Sequence, residues 1–351
     1  MSYRSRKSTL SFDRGTLILH PPPPGKVWLE FVTWDDRIEK FRIPAIKYRS
    51  FIESMRREGT EIQDAAKAFK ELELIIADEK DPFSHQKEAL EAWKRAGRRG
   101  VVVLPTGAGK TYVAQLALQE TPRSTLIVVP TLDLMHQWYA NLEAAFPESD
   151  LGLLGGGSKD ESQILVATYD SAAIHAERIG NRYAMIIFDE CHHLPGDFVR
   201  SIAEYSLAPY RLGLTATPER SDGKHDDLTS LIGPIVYRKS PEELAGKSLS
   251  EHEIRQIKVS LSKEERSEYD SCIKQRNEFL QRSGIFLGSL NGWQKFVAAS
   301  ARSSEGRAAM LAHRQARKLA HQKGELPCWR TVRQESWPLA QKLKSGCFMT
   351  F

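Results

Sequence analysis

A chain of 351 residues has room for two or three folded units, and 41% hydrophobic and 27% charged residues describe an ordinary globular protein. The net charge of +5, with 12 Lys/Arg against 7 Asp/Glu in residues 1–60, permits a polyanionic partner without identifying one. The apolar runs fall far short of the roughly 20 residues that cross a bilayer, and cysteines at 191, 272, 328 and 347 lack the spacing of a disulfide scaffold or zinc ribbon, so a cytoplasmic protein with no membrane partner is expected.

Residues 16–50 alternate as short strands interrupted by four prolines, and "YRSFIESMRREG" has helical spacing; residues 1–75 are expected to form a small α+β domain. From about residue 82 short apolar strands alternate with amphipathic helices. "GVVVLP" leads into "TYVAQLALQE", "TLIVVP" into "LDLMHQWYANLEAAF", and "QILVAT" into "YDSAAIHAERIG"; the strands "YAMIIF" and "YRLGLTAT" follow. Strands apolar on both faces between helices of this length predict an α/β fold over 76–245, a parallel sheet covered on both sides. Residues 246–322 are charged and helical, and 323–351 show neither period, which predicts an aberrant or unstructured tail.

The stretch "LPTGAGKT", residues 104–111, follows a strand and opens a helix, the context of a phosphate-binding loop. Here Thr106, Gly107, Ala108 and Gly109 curl the backbone so that N–H groups face a phosphate. Lys110 supplies a charge for the outer phosphates, and Thr111 supplies a hydroxyl for Mg²⁺. The strict pattern has glycine where this chain has Leu104.

The stretch "FDECHH", residues 188–193, ends the strand "YAMIIF" with two carboxylates. A triphosphate needs one carboxylate to hold Mg²⁺ and another to orient water, and Asp189 and Glu190 sit where a parallel sheet presents such groups. A zinc site at Cys191, His192 and His193 is disfavoured, because consecutive residues cannot converge on one ion and no second pair stands at ligand spacing.

"LPTGAGKT", "VVPTLDLMHQW", "ATYDSA", "FDECHHLPG" and "LGLTATPER" occur in the order of superfamily 2 helicase motifs I, Ia, Ic, II of the DExH kind and III. Over residues 15–322 the chain resembles archaeal and bacterial XPB-type DNA helicases. "RGTLILH" and "AIKYRSFIE" resemble that family's damage-recognition domain, and the segments around 263–321 resemble its thumb. The resemblance implies a RecA-like fold, ATP and Mg²⁺ as cofactors, and forked or distorted DNA as partner, with a structure-specific nuclease as a further one. It makes Gln86 the adenine contact, Lys110 the phosphate clamp, Thr111 and Asp189 the Mg²⁺ holders and Glu190 the general base. It also assigns coupling of hydrolysis to DNA movement to His192, Thr215, Ala216 and Thr217, and DNA backbone contacts to Pro130, Thr131 and Thr168.

Two residues depart from that pattern: the Arg-Glu-Asp element after motif III is Arg220, Ser221 and Asp222 here, and Phe83 stands where the family usually has arginine. No second strand–helix series or "QRxGR" motif follows residue 322. One half of a motor is therefore expected, from a truncated or frameshifted reading frame, binding Mg-ATP and DNA weakly and hydrolysing slowly. The alternatives are a non-catalytic DNA- and nucleotide-binding remnant and the motor subunit of a restriction system. A metabolic kinase is disfavoured, because such enzymes need acceptor-binding residues and lack "TATPER" after the Mg²⁺ carboxylate.

Overall fold

A computed structural model describes residues 7–218, 226–245, 262–285 and 292–323, and the chain divides into two compact units, residues 1–250 and 251–351. The first unit holds two sheets. In the smaller, β1 (Thr9–Asp13) and β2 (Thr16–His20) form a hairpin whose turn places Arg14 and Gly15 in the left-handed region. The strands β3 (Thr33–Asp35) and β4 (Lys40–Pro44) extend it antiparallel, α1 (Tyr48–Arg57) covers it, and β5 (Gln63–Asp64) runs parallel to β1. Alternation is the cause of the burial pattern: Leu17 and Leu19 face the core while Thr16 and Ile18 are partly exposed, and Phe51 and Met55, four apart on α1, meet them. Each such side chain contributes about 1.5–3 kcal/mol by leaving water.

The larger sheet begins after α2 (Ser84–Arg95). Three strand–helix units follow in order: β6 (Arg99–Val103) with α3 (Lys110–Glu120), β7 (Thr125–Val129) with α4 (Leu132–Ala145), and, after the hairpin β8 (Leu151–Gly155) and β9 (Ser158–Lys159), β10 (Ile164–Thr168) with α5 (Tyr169–Ile179). Then come β11 (Met185–Asp189), α6 (Ser201–Glu204), β12 (Tyr210–Thr215), α7 (Asp227–Leu231), β13 (Ile235–Arg238) and α8 (Pro241–Leu244). Its order is β13-β6-β12-β11-β7-β10-β8-β9, parallel throughout except the β8–β9 hairpin. Every residue of β7 and β11 is buried, as expected of central strands with helices on both faces. All the strands and helices expected over 100–215 are present; β8 and β9 add to them where the glycine-rich "LGLLGGG" gives a weak strand signal, and β13 is a further strand of only four β-favouring residues behind Gly233 and Pro234.

The small sheet and the large one share contacts. Leu207, from the loop before β12, belongs to the core of the small sheet, and the Arg49 guanidinium on α1 donates to the carbonyls of Gly97 and Pro209 at 2.7 and 3.0 Å. The segment between them is strapped down: Ser124 N–H donates to the Lys70 carbonyl, Leu72 N–H to Pro122 and Ala77 N–H to Ala145. The expected boundary at 75/76 falls inside that strap, where Leu74 and Ile76 already belong to the larger core.

The second unit contains α9 (Lys263–Arg282), α10 (Gly292–Arg302) and α11 (Ser304–Lys323) around Phe279, Leu280, Phe296 and Ala309. Its first helix starts at a reciprocal cap, Ser262 Oγ accepting from Glu265 N–H while Glu265 accepts from Ser262 N–H. The expected tail from 324 onward, and Arg220 and Asp222, lie outside the described residues. Among the described residues no helix is long and apolar enough to cross a membrane.

Candidate nucleotide site

The turn from β6 into α3 is a phosphate cradle. Gly107 and Gly109 take φ of +84° and +77°, conformations that only glycine adopts without strain, and a Cβ on Gly109 would lie 2.3 Å from Gln86 Nε2. Leu104 does not need glycine's freedom: its φ is not positive, its side chain is fully buried, and its carbonyl accepts the Lys110 ammonium at 3.2 Å. The helix start thus presents backbone N–H groups and one cation to the same space.

The cradle is held from behind by α2. Gln86 is only 4% exposed; its Nε2 donates to the Ala108 carbonyl at 3.2 Å and its Oε1 accepts from Phe83 N–H at 3.0 Å. His85 Nε2 reaches the same Ala108 carbonyl at 2.9 Å. Gln86 is therefore a buried brace of the loop, not an exposed helix residue, and His85, which the motif pattern did not single out, is its neighbour in that role.

Asp189 ends β11 and is 8% exposed. Burial raises its carboxyl above the usual aspartate range, opposed by the 2.8 Å hydrogen bond that Trp138 Nε1 donates to Oδ2 and by the nearby Lys110 charge. Glu190 next to it sits at φ +46°, a left-handed conformation that costs a non-glycine residue about 1–2 kcal/mol. Burial also works to raise Glu190, yet the hydrogen bond from His192, the Lys110 charge and the Thr215 hydroxyl together hold it below the usual glutamate range. The surroundings thus push the two neighbouring carboxyls in opposite directions, Asp189 up and Glu190 down.

Thr215, at the end of β12, joins the site together. Its hydroxyl lies 3.2 Å from Glu190 Oε2 and 3.0 Å from His192 Nδ1, and accepts the Thr217 N–H at 3.2 Å. Lys110, Asp189, Glu190, His192, Thr215 and Thr217 are thus brought together at the carboxyl ends of β6, β12 and β11, which are neighbours in the sheet. Ala216 lies between the two threonines and is half-buried.

The residues expected to touch DNA stand further along the same edge. Pro130 and Thr131 follow β7, and Thr168 ends β10; Thr131 and Thr168 are N-caps, their hydroxyls accepting Leu134 N–H and Ser171 N–H. Two residues that lie inside the quoted motif stretches without an assigned role connect this edge to the acidic pair: Trp138, and Tyr169, whose hydroxyl donates to the Asp189 carbonyl at 3.0 Å. A tryptophan inside an amphipathic helix signals that its N–H needs a partner, but not which one.

Thr111 follows Lys110 in the first turn of α3, and its hydroxyl and the Asp189 carboxyl are oxygen donors of the hard kind that Mg²⁺ prefers. Cys191 is fully buried in the apolar cluster under β11, and among the described residues no three His, Cys, Asp or Glu side chains gather as a metal site.

A strand–cradle–helix, an acidic pair on a nearby strand end and a threonine-bridged third strand define the RecA-like ATP-binding module of a superfamily 2 helicase. The family model for the "Xeroderma pigmentosum group B helicase damage recognition domain" matches residues 10–66, and that for "Type III restriction enzyme, res subunit" matches 79–220. A DNA 3'-5' translocase XPB2 of Sulfurisphaera tokodaii is 40% identical over 304 residues, 86% of this chain and 67% of that protein. A DNA 3'-5' helicase XPB of Mycobacterium tuberculosis is 28% identical over 274 residues, 73% of this chain and 45% of its own length. The general transcription and DNA repair factor IIH helicase/translocase subunit XPB/SSL2 of Saccharomyces cerevisiae is 30% identical over 167 residues, 43% of this chain and 20% of that one. The chain belongs to the XPB family of superfamily 2 helicases and corresponds to its N-terminal region.

Proposed function

We propose that this chain is the ATP- and DNA-binding N-terminal part of an ATP-driven 3'-5' DNA translocase acting in repair or transcription. The observation that carries the proposal is the Thr215 hydroxyl bridging Glu190, His192 and Thr217, which links the hydrolytic carboxylate to the strand that leads into motif III. Lys110 and the N–H groups of residues 107–110 bind the phosphates. Thr111 and Asp189 hold Mg²⁺, which when bound with the nucleotide neutralises charge on the β- and γ-phosphates. Glu190, kept anionic, orients the attacking water and accepts its proton. Gln86, which braces the loop, is the adenine contact in this reading, and the capped helix N-termini at Thr131 and Thr168 are its contacts to the DNA backbone.

The res-subunit match covers 79–220, whereas the match over 10–66 is to an XPB domain, which favours repair or transcription over restriction. The described residues include one RecA-like sheet, and an arginine supplied to the transferring phosphoryl group is typically worth 10³–10⁵ in rate. A polypeptide of residues 1–351 therefore binds nucleotide and DNA but turns over slowly and does not translocate alone. Nucleotide binding followed by a fluorescent ATP analogue, with ATPase assayed with and without single-stranded DNA, tests this. Absence of magnesium-dependent binding refutes the site, and robust DNA-stimulated turnover refutes the impairment.

A further inference from the structure

Asp189 is gripped from two directions by elements that no motif role explains. Trp138 lies seven residues into the chain from the Thr131 cap, two turns along the same face of α4, and its indole N–H donates to Asp189 Oδ2 at 2.8 Å. Tyr169 is the first residue of α5, adjacent to the Thr168 cap, and its hydroxyl donates to the Asp189 main-chain carbonyl at 3.0 Å. Both donors are buried, and the other carboxylate oxygen, Oδ1, takes the Glu190 N–H at 3.1 Å. The aspartate therefore has no freedom of its own: its side chain is set by α4, and the left-handed peptide that aims Glu190 is set by α5.

The topology makes this arrangement directional. In the sheet β11, β7 and β10 are consecutive neighbours, so Asp189, Thr131 and Thr168 stand on three adjacent strand ends. Whatever seats on the two capped helix N-termini bears on the same helices that hold the acidic pair. Resting on the ATP- and DNA-binding reading above, we propose that Trp138 and Tyr169 are positioning residues that transmit occupancy of the α4 and α5 N-termini by a DNA backbone to the metal-holding carboxylate of Asp189 and to Glu190. A rigid connection of this kind needs no large movement: a hydrogen bond weakens once its donor leaves the range of about 2.7–3.2 Å or turns out of line, and bonds to charged groups are the stronger kind.

The test uses Tyr169→Phe, which removes only the donor, and Trp138→Phe, which removes the donor together with part of the buried indole, and reads binding as well as turnover. Affinity for a fluorescent ATP analogue is titrated with Mg²⁺ and in EDTA, each with and without a single-stranded oligonucleotide. Tyr169→Phe is expected to keep the parent's thermal midpoint to within a few degrees, Trp138→Phe to lower it through the volume it vacates, and both to keep the parent's affinity in EDTA and its affinity for the oligonucleotide without nucleotide. Trp138→Phe is expected to lose about ten-fold or more of the magnesium-dependent gain in nucleotide affinity, as follows from removing a hydrogen bond to a charged group. In both variants the factor by which DNA strengthens magnesium-nucleotide binding, several-fold in the parent, falls toward one. A merely structural role would lower the thermal midpoint and leave that factor unchanged. Variants that match a competent parent in magnesium dependence and in the DNA coupling factor overturn the inference. A parent with no magnesium-dependent nucleotide affinity overturns the ATP-site reading itself and this inference with it.

Discussion

Lys110 and Glu190 act at different points, and their variants separate accordingly. Removing the Lys110 ammonium, which now rests on the Leu104 carbonyl, takes away the cation that the loop itself carries, so Lys110→Ala is expected to weaken nucleotide binding and cut turnover about 10²-fold or more. Glu190→Gln keeps the shape and the Thr215 contact but removes the proton acceptor; residual turnover should fall about 10²–10⁴-fold while nucleotide affinity holds, as single-turnover and equilibrium binding measurements will show. Equal losses of affinity in both variants would contradict these separate roles. At this scale the sequence was informative where chemistry demands a residue type at a fixed spacing. Lys110, Thr111, Asp189 and Glu190 were legible for that reason. Trp138, Tyr169 and His85 were not, because their importance lies in which buried acceptor each one meets, 51, 20 and 23 residues away in the chain.

Among the elements, the β3–β4 hairpin and β12 carry the charges most dependent on folding. Asp35 at the end of β3 is nearly buried; hydrogen bonds from Arg37 and then Arg42, at 2.9 and 2.7 Å, hold its carboxyl well below the usual aspartate range. A carboxyl depressed in the folded state contributes stability above its unfolded pKa of about 3.9 and loses it as pH falls below that value. Acid unfolding of the small sheet should therefore be shallower below about pH 4 in Asp35→Asn, whose midpoint at pH 7 is lower, and an unchanged acid limb would remove Asp35 from the account.

Arg211 on β12 is the opposite case, a guanidinium 1% exposed that meets no carboxylate among the described residues. It donates to the carbonyls of Ala203 and Ser206, both at 2.9 Å, and of Ala208 and Leu231, closing α6, the following turn and the end of α7 onto the sheet. Burial holds its pKa well below the ordinary arginine value. Replacing it with leucine strands those carbonyls, so Arg211→Leu is expected to destabilise by about 3 kcal/mol or more in urea titration, with loss of ATP binding only as the fold is lost. Nothing in "YRLGLTAT" distinguishes this arginine from one at a solvated strand start.

At the level of the whole molecule, residues 1–250 form one compact unit although they contain two sheets and match two family models. The reasons are the strap of residues 66–77 along the larger sheet and three anchors: Leu207 in the smaller core, Arg49 on Gly97 and Pro209, and Asn181, which exchanges hydrogen bonds with Ala66 and Ala68. The two sheets are expected to unfold in one transition, and hydrogen exchange in the smaller sheet should accelerate in an Arg49→Ala, Asn181→Ala double variant before the larger sheet is affected. A separate early transition for residues 10–66 in the parent would show that the strap does not couple them.

The sequence alone determined the parts whose physics is local. Apolar runs of four to six residues between amphipathic helices sufficed for a parallel sheet, glycines before Lys110 for a tight turn between strand and helix, and an acidic pair at a strand end to single out Asp189 and Glu190 as candidates. Tertiary structure decided what depends on register and strand order. It set which strand ends are neighbours, that Leu104 needs no positive φ, that Gln86 and His85 brace one carbonyl, and that Thr215 bridges Glu190 to His192. Those relations arise between residues far apart in the chain, where the partner of a buried donor is fixed by packing and leaves no periodic trace.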